Sequence, residues 1–397
     1  MSRPLLAICI PTYNRGEPLG RLLDRLHEEL GDATDVVVLV SDNASPDATP
    51  QLLAAAAGRM PSLRVHRQPA NLGALGNTRW LVANAPDCEY LWIFGDDDEP
   101  EPGAVAYACE LLRAHAPAWL HLPHRFVHPD GSVKAESRLP VAPETYADPG
   151  RMYLAQTHWL TFLSASIVRR DDLRRVEAAS STDNLYFPLI WYFRASLAGP
   201  CLVADRLLVS ASADVSWGDR MGDVMTRHFI GLFDEAIGRQ VSAEEFGRSL
   251  DAHYNRDHYW CWKEAGADYL IETVRRFPHS RVLRRYLWTL GRELRDPRCA
   301  AEVAAATTAA GDDMVARALL AEGETAFGDG DAAGAAELFT RALEEAPAFA
   351  EAWNDLAVAL HAMGSDQARI AVATAVELDP ADENAWQNHL AITGSPA

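Results

Sequence analysis

Three consecutive carboxylates, Asp96 to Asp98, follow Gly95 and the apolar run Leu-Trp-Ile-Phe at residues 91–94. Neighbouring like charges repel each other, and a half-buried position at the end of a strand increases that cost. A bound divalent cation would offset the repulsion, because carboxylate oxygens are the ligands that Mg²⁺ and Mn²⁺ prefer. Such ions usually bind together with the phosphates of a substrate. The alternative is a solvated acidic turn at the end of a strand.

The segments before the acidic run alternate between expected buried strands and expected helices. Continuous apolar runs are typical of strands that are buried on both faces of a parallel sheet, and leucines at helical spacing indicate amphipathic helices. This alternation predicts a doubly wound α/β sheet, in which ligands bind beyond the carboxyl ends of the strands. The polar clusters at Thr12, Asp42 and Asp96 to Asp98 all occur at such ends. The expected strands are residues 5–10, 36–40, 63–66 and 91–94, and the expected helices are residues 19–30, about 50–57 and a segment that extends through Leu81.

Four polar segments follow one another along the first hundred residues. They are Pro-Thr-Tyr-Asn-Arg at 11–15, Ser-Asp-Asn-Ala-Ser-Pro-Asp at 41–47, Asn-Leu-Gly at 71–73 with Asn77, and Gly-Asp-Asp-Asp at 95–98. In this order they resemble the family 2 glycosyltransferases of the GT-A fold, and the first two are especially similar in sequence to abequosyltransferase-type enzymes of bacterial polysaccharide assembly. The resemblance is strong for residues 1–110, weaker to about residue 225 and absent beyond.

The resemblance implies a nucleotide-sugar site with Mn²⁺ or Mg²⁺ as cofactor. The first loop would hold the nucleotide, with the ring of Tyr13 against the base, and Asp42 would accept a hydrogen bond from the base. In the family's DXD motif, Asp96 would contact the ribose and Asp98 would bind the metal that bridges the two phosphates. For Asn71 and Asn77, which would close around the ribose and diphosphate, ordinary turn chemistry is the alternative. The implied nucleotide-sugar-binding residues are Pro11, Thr12, Tyr13, Arg15, Asp42, Asn71, Gly73, Asn77, Asp96 and Asp97, and the implied metal ligand is Asp98.

The catalytic base of an inverting transferase must be a carboxylate that deprotonates the acceptor hydroxyl. In many relatives an acidic pair supplies it, some distance after the metal motif, but the matching region here, residues 181–188, carries only Asp183. We predict Asp183 as the base; the alternative is that Asp183 caps the following apolar helix. Glu177 is the second choice, whereas Asp171 and Asp172 are typical of a helix start.

Two other polar segments have weaker functional interpretations. His121, His124 and His128 invite a metal-site interpretation, but residues 120–127 alternate like a strand and residues 129–132 then form a turn, which favours exposed hairpin histidines. The glycine-flanked residues 217–223 are typical either of a mobile lid over a donor site or of an interdomain loop. In the lid interpretation, Arg220 or His228 would face the diphosphate or metal.

The chain after residue 225 is helical and rich in alanine. Residues 314–380 resemble tetratricopeptide repeats, since small and large residues follow that pattern and Trp353 to Trp386 and Pro347 to Pro380 are each 33 apart. A third unit would leave a capping helix after Trp386. We therefore predict a GT-A domain at 1–225, a helical packing region at 226–313 and a tetratricopeptide-like domain at 314–397.

Composition restricts the class of protein. The formal charge of −20 over 397 residues disfavours nucleic acid and anionic membranes as partners, because phosphates would be repelled. The six cysteines show neither a disulfide framework nor zinc spacing. The sequence has no signal peptide and no apolar run long enough to span a bilayer, so we expect a cytoplasmic enzyme that meets any lipid-linked acceptor at the inner membrane face.

Together these features predict a metal-dependent, inverting glycosyltransferase that moves a hexosyl or deoxyhexosyl group from a nucleotide sugar to a hydroxyl. The first acceptor hypothesis is a glycan or lipid-linked saccharide, as the abequosyltransferase resemblance implies. The second is a protein or peptide recruited through the repeats. A third hypothesis is a non-catalytic repeat scaffold with a degenerate sugar-nucleotide domain.

Overall fold

A computed structural model describes residues 3–31, 33–197, 199–213 and 220–394. The chain forms two compact units, residues 1–241 and residues 242–397. No helix within the described ranges is both long enough and apolar enough to cross a membrane.

The first unit follows the predicted alternation of strands and helices. Its strands are β1 (Leu6–Thr12), β2 (Val36–Asp42), β3 (Leu63–Arg67), β4 (Tyr90–Ile93), β5 (Glu99–Pro100), β6 (Trp119–His121), β7 (His124–Val127), β8 (Val133–Glu136), β9 (Glu144–Tyr146), β10 (Ser166–Arg169), β11 (Cys201–Val203) and β12 (Val209–Ser212). Its α-helices are α1 (Gly16–Leu30), α2 (Thr49–Ala57), α3 (Gly73–Asn84), α4 (Ala104–His115), α5 (Pro149–Gln156), α6 (Arg170–Ala178), α7 (Phe187–Ala195), α8 (Met221–Asp223) and α9 (Phe229–Glu235). Short 3₁₀ turns cover Thr157–Thr161, Leu163–Ala165 and Ile237–Arg239, and a π-helical turn covers Val224–His228.

The main sheet of this unit has the strand order β3-β2-β1-β4-β10-β6-β11-β9. Strands β1 to β4 are parallel to one another, whereas β10 is antiparallel to both β4 and β6. Helices α1, α2 and α4 pack together, and α3, α6 and α7 form another packed group. The buried side chains of β1, β2 and β4 form the centre of the core, as their unbroken apolar runs predict.

A second, smaller sheet has the order β5-β12-β7-β8. It corrects the interpretation of residues 120–127 as one strand, because Leu122 and Pro123 separate β6 in the main sheet from β7 in the second sheet. Proline has no backbone N–H to donate, so a break in the ladder is expected at this position. The predicted exposure of His121 and His124 is also wrong: both are fully buried.

The second unit is helical throughout its described residues. Its α-helices are α10 (Ala243–His253), α11 (Tyr259–Ala265), α12 (Ala267–Arg276), α13 (Arg281–Leu294), α14 (Pro297–Ala310), α15 (Asp312–Gly328), α16 (Ala332–Glu345), α17 (Ala350–Ala362), α18 (Gln367–Leu378) and α19 (Glu383–Thr393), and a 3₁₀ turn covers Arg256–His258.

The last helices pack on one another in chain order, α15 on α16, α16 on α17, α17 on α18 and α18 on α19. The predicted period recurs as a repeated contact, since Trp353 Nε1 donates to the Pro347 carbonyl at 2.8 Å and Trp386 Nε1 donates to the Pro380 carbonyl at 2.9 Å. A Cβ atom on Gly323 would lie 2.5 Å from the ring of Phe339. This close approach explains why the repeat pattern has a small residue at position 323.

Candidate active site

Parallel register brings the polar ends of β1, β2 and β4 to one edge of the sheet. Thr12 lies opposite Asp42, and the end of β4 is aligned with the middle of β1, just before the acidic run. Hydrogen bonds join the loops: Asn43 N donates to the Thr12 carbonyl at 2.9 Å, and Asn14 N donates to Ser45 Oγ at 2.9 Å. The sequence therefore predicted correctly which loops meet.

The loops after β1 and β2 and the start of α3 each contain one residue in the left-handed backbone region. The φ angles are 56° at Asn14, 63° at Ala44 and 71° at Gly73. Alanine rarely adopts this region, so the surrounding hydrogen bonds must hold Ala44 there. Backbone strain of this kind is concentrated at ligand-binding loops.

The first loop presents one buried hydroxyl and one exposed ring. Thr12 is buried, and its Oγ1 lies close enough to the Asp96 carboxylate to lower the pKa of that group, although it has no partner at hydrogen-bonding distance among the described residues. The side chain of Tyr13 is 44% exposed, so its face is accessible to a nucleobase. Pro11 lies in β1 beside Ser41.

Asp42 is fully enclosed by protein groups. It accepts hydrogen bonds from Ser45 N at 2.9 Å and from Arg67 Nη1 at 2.7 Å, and Arg67 Nη2 donates to the Ser45 carbonyl at 2.9 Å. The guanidinium of Arg67 remains half exposed. Arg67 is not among the residues predicted from the sequence, although its position at the end of β3, next to the end of β2, is a signal that strand order alone supplies.

The predicted asparagines occupy two different environments. Asn71 is exposed and accepts from Asn43 Nδ2 at 2.9 Å and from Gly73 N at 2.8 Å, an Asx turn at the start of α3. Asn77 is buried, accepts from Ser41 Oγ at 2.7 Å and donates to the Ser41 carbonyl at 2.9 Å. Asn77 thus fastens α3 to β2 and supports the loop that Asn71 and Gly73 form.

Two of the three acidic side chains are buried. Burial raises the pKa of Asp96 to about 6 and, with the nearby charge of Asp97, raises the pKa of Asp98 to about 7. The Asp98 carboxylate accepts from Ser164 Oγ at 2.6 Å and from Ser212 N at 3.3 Å. Neither serine is among the site residues predicted from the sequence, and both lie far from Asp98 along the chain.

Arg15 supplies positive charge at this edge of the sheet. Its guanidinium donates to the Asp97 carboxylate and lies 4.0 Å from that of Asp96, with about a third of its side chain exposed. The predicted nucleotide-binding residues Arg15, Asp96 and Asp97 are therefore next to one another.

The residues around Asp98 fit a divalent cation that arrives with a diphosphate. Within residues 3–31, 33–197, 199–213 and 220–394, no three His, Cys, Asp or Glu side chains are grouped so as to hold a metal ion by themselves. Mg²⁺ and its analogues are commonly bound through one or two carboxylates plus substrate phosphates, so Asp98 with Asp96 nearby is a sufficient donor set. Burial disfavours the charged form of both carboxylates, and a bound cation would offset that cost.

Asp183 lies on an exposed turn before α7 and does not cap that helix. The helix has Tyr186 as its N-cap residue, without a side-chain hydrogen bond. The turn is fixed instead by Asn184, whose Nδ2 donates to the His228 carbonyl at 2.9 Å and to Glu235 Oε1 at 3.2 Å, and by Leu185 N, which donates to His228 Nδ1 at 3.3 Å. Asp183 is close enough to His228 to raise the pKa of its imidazole, although burial lowers that pKa overall.

The second-choice base, Glu177, is on α6 and faces Arg79, with 3.9 Å between Oε1 and Nε. Arg79 on α3 also donates to the Ser180 carbonyl at 3.0 Å. This hydrogen bond links α3 to the segment that leads to Asp183. Asp171 and Asp172 are in the first turn of α6 and form ion pairs with arginines, as predicted for a helix start.

The suggested lid lies partly outside the described residues, which exclude 214–219. Arg220 is described and exposed, and its charge lowers the pKa of His228. His228 is the last residue of the π-helical turn, and its Nδ1 accepts a hydrogen bond from Leu185 N, close to Asp183.

Comparisons with known proteins agree with this geometry. Residues 7–176 match the family described as Glycosyl transferase family 2, and residues 326–391 match the Tetratricopeptide repeat. Over 117 residues the chain is 32% identical to the abequosyltransferase RfbV of Salmonella typhimurium, which corresponds to 29% of this chain and 35% of that protein. The chain thus spans about a third of the length of the curated relative that it matches.

The solved structures that resemble this chain include TarS 1-349 of S. aureus. The complex of that protein with UDP-GlcNAc has a TM-score of 0.52 at 16% identity, over 74% of this chain and 89% of that chain. Another crystal structure of TarS 1-349 has a TM-score of 0.51 at 16% identity, over 74% of this chain and 88% of that chain. The predicted GT-A fold, followed by helical repeats, is confirmed; the family 2 match covers residues 7–176 and the tetratricopeptide match covers residues 326–391.

Proposed function

We propose that this protein is a metal-dependent, inverting glycosyltransferase that uses a nucleotide-sugar donor. The observation that carries the proposal is the buried pair Asp96 and Asp98, located where the first two donor loops meet at the sheet edge. Tyr13 would contact the base, Arg67 and the loop of Asn71 and Gly73 would line the nucleotide, and Arg15 would face the diphosphate.

Asp98, with Asp96 beside it, would hold Mn²⁺ or Mg²⁺. When bound, the ion supplies charge stabilisation for the departing nucleoside diphosphate. Ser164 and Ser212 hold the Asp98 carboxylate in place through their hydrogen bonds, so that it need not reorganise when ligands bind.

In the transfer step, Asp183 would accept the proton of the acceptor hydroxyl as its oxygen attacks the anomeric carbon. The new glycosidic bond forms while the bond from that carbon to the diphosphate oxygen breaks, and both electrons leave with the nucleoside diphosphate. Attack on the face opposite the leaving group inverts the anomeric configuration. An acceptor that is a glycan or a lipid-linked saccharide, met at the inner face of the cytoplasmic membrane, fits the likeness to the abequosyltransferase.

The test begins with thermal-shift screening of nucleotide sugars with Mn²⁺, because a ligand that binds only the folded state must stabilise it. Donor hydrolysis is then measured for the wild type and for Asp98→Asn. We expect a loss of at least about 100-fold, since metal charge stabilisation contributes several kcal/mol. Asp24→Asn, which breaks an exposed ion pair, is the matched control and should be unchanged.

The outcomes separate the proposals. Activity that is insensitive both to chelation and to Asp98→Asn would contradict the metal dependence. A wild type that binds a nucleotide sugar but turns over none of the panel would favour the non-catalytic scaffold.

The repeats favour a second candidate function, transfer to a protein acceptor. Helical repeats of this type present extended surfaces to partners. Transfer by the full-length protein to peptides, with none to simple glycosides, would support this candidate over a saccharide acceptor.

A further inference from the structure

Three aromatic side chains outside the donor loops form a half-buried cluster, which we call the aromatic platform: Phe126, Trp159 and Phe162. The rings of Phe126 and Trp159 are 26° from parallel with centroids 6.1 Å apart, and Phe162 meets Phe126 edge-on at 5.5 Å. Their partial exposure distinguishes them from the core aromatics of the same unit, which are fully buried.

A buried imidazole lies against all three rings. His124 stacks on Phe162 at 4.6 Å and meets the edges of Trp159 at 5.3 Å and Phe126 at 5.4 Å. Its Nδ1 is 3.3 Å from the Leu122 carbonyl, whereas its Nε2 has no hydrogen-bond partner in the described parts of the chain. A buried polar atom without a partner is costly, and a ligand hydroxyl is one group that would satisfy it.

Two separate segments of the chain connect the aromatic platform to the carboxylate of Asp98, the proposed metal ligand. Phe162 is two residues from Ser164, whose hydroxyl donates to Asp98 at 2.6 Å. Phe126 pairs with Ala211 in the second sheet, and the next residue, Ser212, donates its N–H to the other Asp98 oxygen at 3.3 Å. The platform therefore begins beside the position at which the donor diphosphate would end.

A strained residue precedes the platform tryptophan. Thr157 has a φ angle of 51°, in the left-handed region that β-branched residues normally avoid. Strain of this kind persists where the surroundings hold a segment in place, and it is concentrated at ligand clamps. Here it starts the 3₁₀ turn that presents Trp159.

We propose that the aromatic platform binds a pyranose ring of a saccharide acceptor, an inference that rests on the proposed glycosyltransferase function. The C–H groups of a sugar face pack against an aromatic face, while its equatorial hydroxyls remain free for polar partners such as His124. The platform lies beside Asp98, and Tyr13 is already assigned to the nucleobase of the donor. The occupant of the platform is therefore the second sugar of the reaction, that of the acceptor. The platform thus favours a saccharide over a peptide as acceptor.

Saturation-transfer NMR on the full-length protein tests this proposal. The probes are methyl α-D-mannopyranoside, methyl β-D-galactopyranoside and methyl α-L-rhamnopyranoside, with a serine-containing tetrapeptide for comparison. We expect saturation of the ring C–H protons of at least one glycoside. The signal should fall at least about fivefold in Trp159→Ala and be largely retained in Trp159→Phe, because the phenyl ring keeps a stacking face. Trp260→Ala, which removes an exposed tryptophan of the second unit, is the matched control.

Thermal shifts with nucleotide sugars and Mn²⁺ are recorded on the same variants, and they distinguish the two failures. Loss of glycoside signal with an unchanged nucleotide-sugar shift in Trp159→Ala supports the platform. Equal glycoside signals in wild type and Trp159→Ala, saturation of the tetrapeptide alone, or loss of the nucleotide-sugar shift in Trp159→Ala would each overturn it. A wild type that no nucleotide sugar stabilises would refute the proposed function itself, whatever the glycosides do.

Discussion

Gly95 tests the geometry of the acidic run more directly than a change to a carboxylate does. A Cβ atom at Gly95 would lie 2.5 Å from Asp98 Oδ2 and 3.3 Å from its Cγ. Non-bonded heavy atoms are most stable at about 3.5–4.0 Å, so in Gly95→Ala the carboxylate must move by roughly 1–1.5 Å to reach that separation. The Gly95 backbone is not in the left-handed region, so alanine adds no backbone strain there.

The size of the effect follows from the hydrogen bond that this movement disrupts. Ser164 Oγ accepts from Gly95 N at 2.7 Å and donates to Asp98 at 2.6 Å, so the displaced carboxylate loses its shortest contact. A hydrogen bond to a charged group contributes about 1.5–3 kcal/mol. At about 1.4 kcal/mol for each factor of ten, we expect donor turnover at saturating Mn²⁺ to fall about 10- to 100-fold.

The assay is donor hydrolysis with a Mn²⁺ titration, together with thermal unfolding. Gly58→Ala is the control, since its Cβ would meet the Ala55 and Ala54 carbonyl oxygens at 3.5 Å and 4.0 Å, which are ordinary van der Waals distances, and its backbone is already helical. The control should retain wild-type turnover and equal or slightly higher stability. Wild-type turnover with an unchanged Mn²⁺ dependence in Gly95→Ala would refute the placement of Asp98 over Gly95.

Two further outcomes concern the base and the buried histidines. Asp183→Asn should lower transfer by about 10²–10⁴-fold while the nucleotide-sugar thermal shift is kept, and Glu177→Gln should stay near wild type; the reverse ranking would exchange their roles. Burial lowers the pKa of His121 to about 3 and of His124 to about 4, so the unfolded chain binds more protons below about pH 6.5 and stability falls as the pH falls. Between pH 7.5 and pH 5 the wild type should lose about 2 kcal/mol more unfolding free energy than His124→Gln, measured by urea unfolding; equal losses would contradict the lowered pKa.

The donor loops could be predicted because their positions depend on local patterns. Unbroken apolar runs identify buried parallel strands, and parallel strands direct their carboxyl ends to one edge. Thr12, Asp42 and Asp98 therefore meet as the sequence predicted. The partners of Asp98 could not be predicted, since Ser164 and Ser212 are 66 and 114 residues away and reach it only through an antiparallel strand and a second sheet.

The prediction that His121 and His124 are exposed was wrong for a different reason. Alternation along residues 120–127 was interpreted as one exposed hairpin strand, but Pro123 divides the segment between two sheets, and the side chains on both sides of the break are enclosed. A neutral imidazole can pack like an aromatic ring, as His124 does against Phe162, so polarity alone did not reveal its burial.

The negative charge at the sheet edge connects the proposed metal dependence with binding of the donor. The guanidinium of Arg15 pairs with Asp97 and lies 4.0 Å from the Asp96 carboxylate, whereas burial is the main cause of the raised pKa values of Asp96 and Asp98. A nucleoside diphosphate would add further negative charge and would compete with Asp97 for Arg15. Donor binding without a cation is therefore opposed by repulsion between the diphosphate and the carboxylates of the acidic run. It follows that chelation should weaken nucleotide-sugar binding as well as turnover. It also follows that Asp98→Asn, which removes a buried charge together with the proposed metal ligand, should impair turnover more than it impairs binding of the donor.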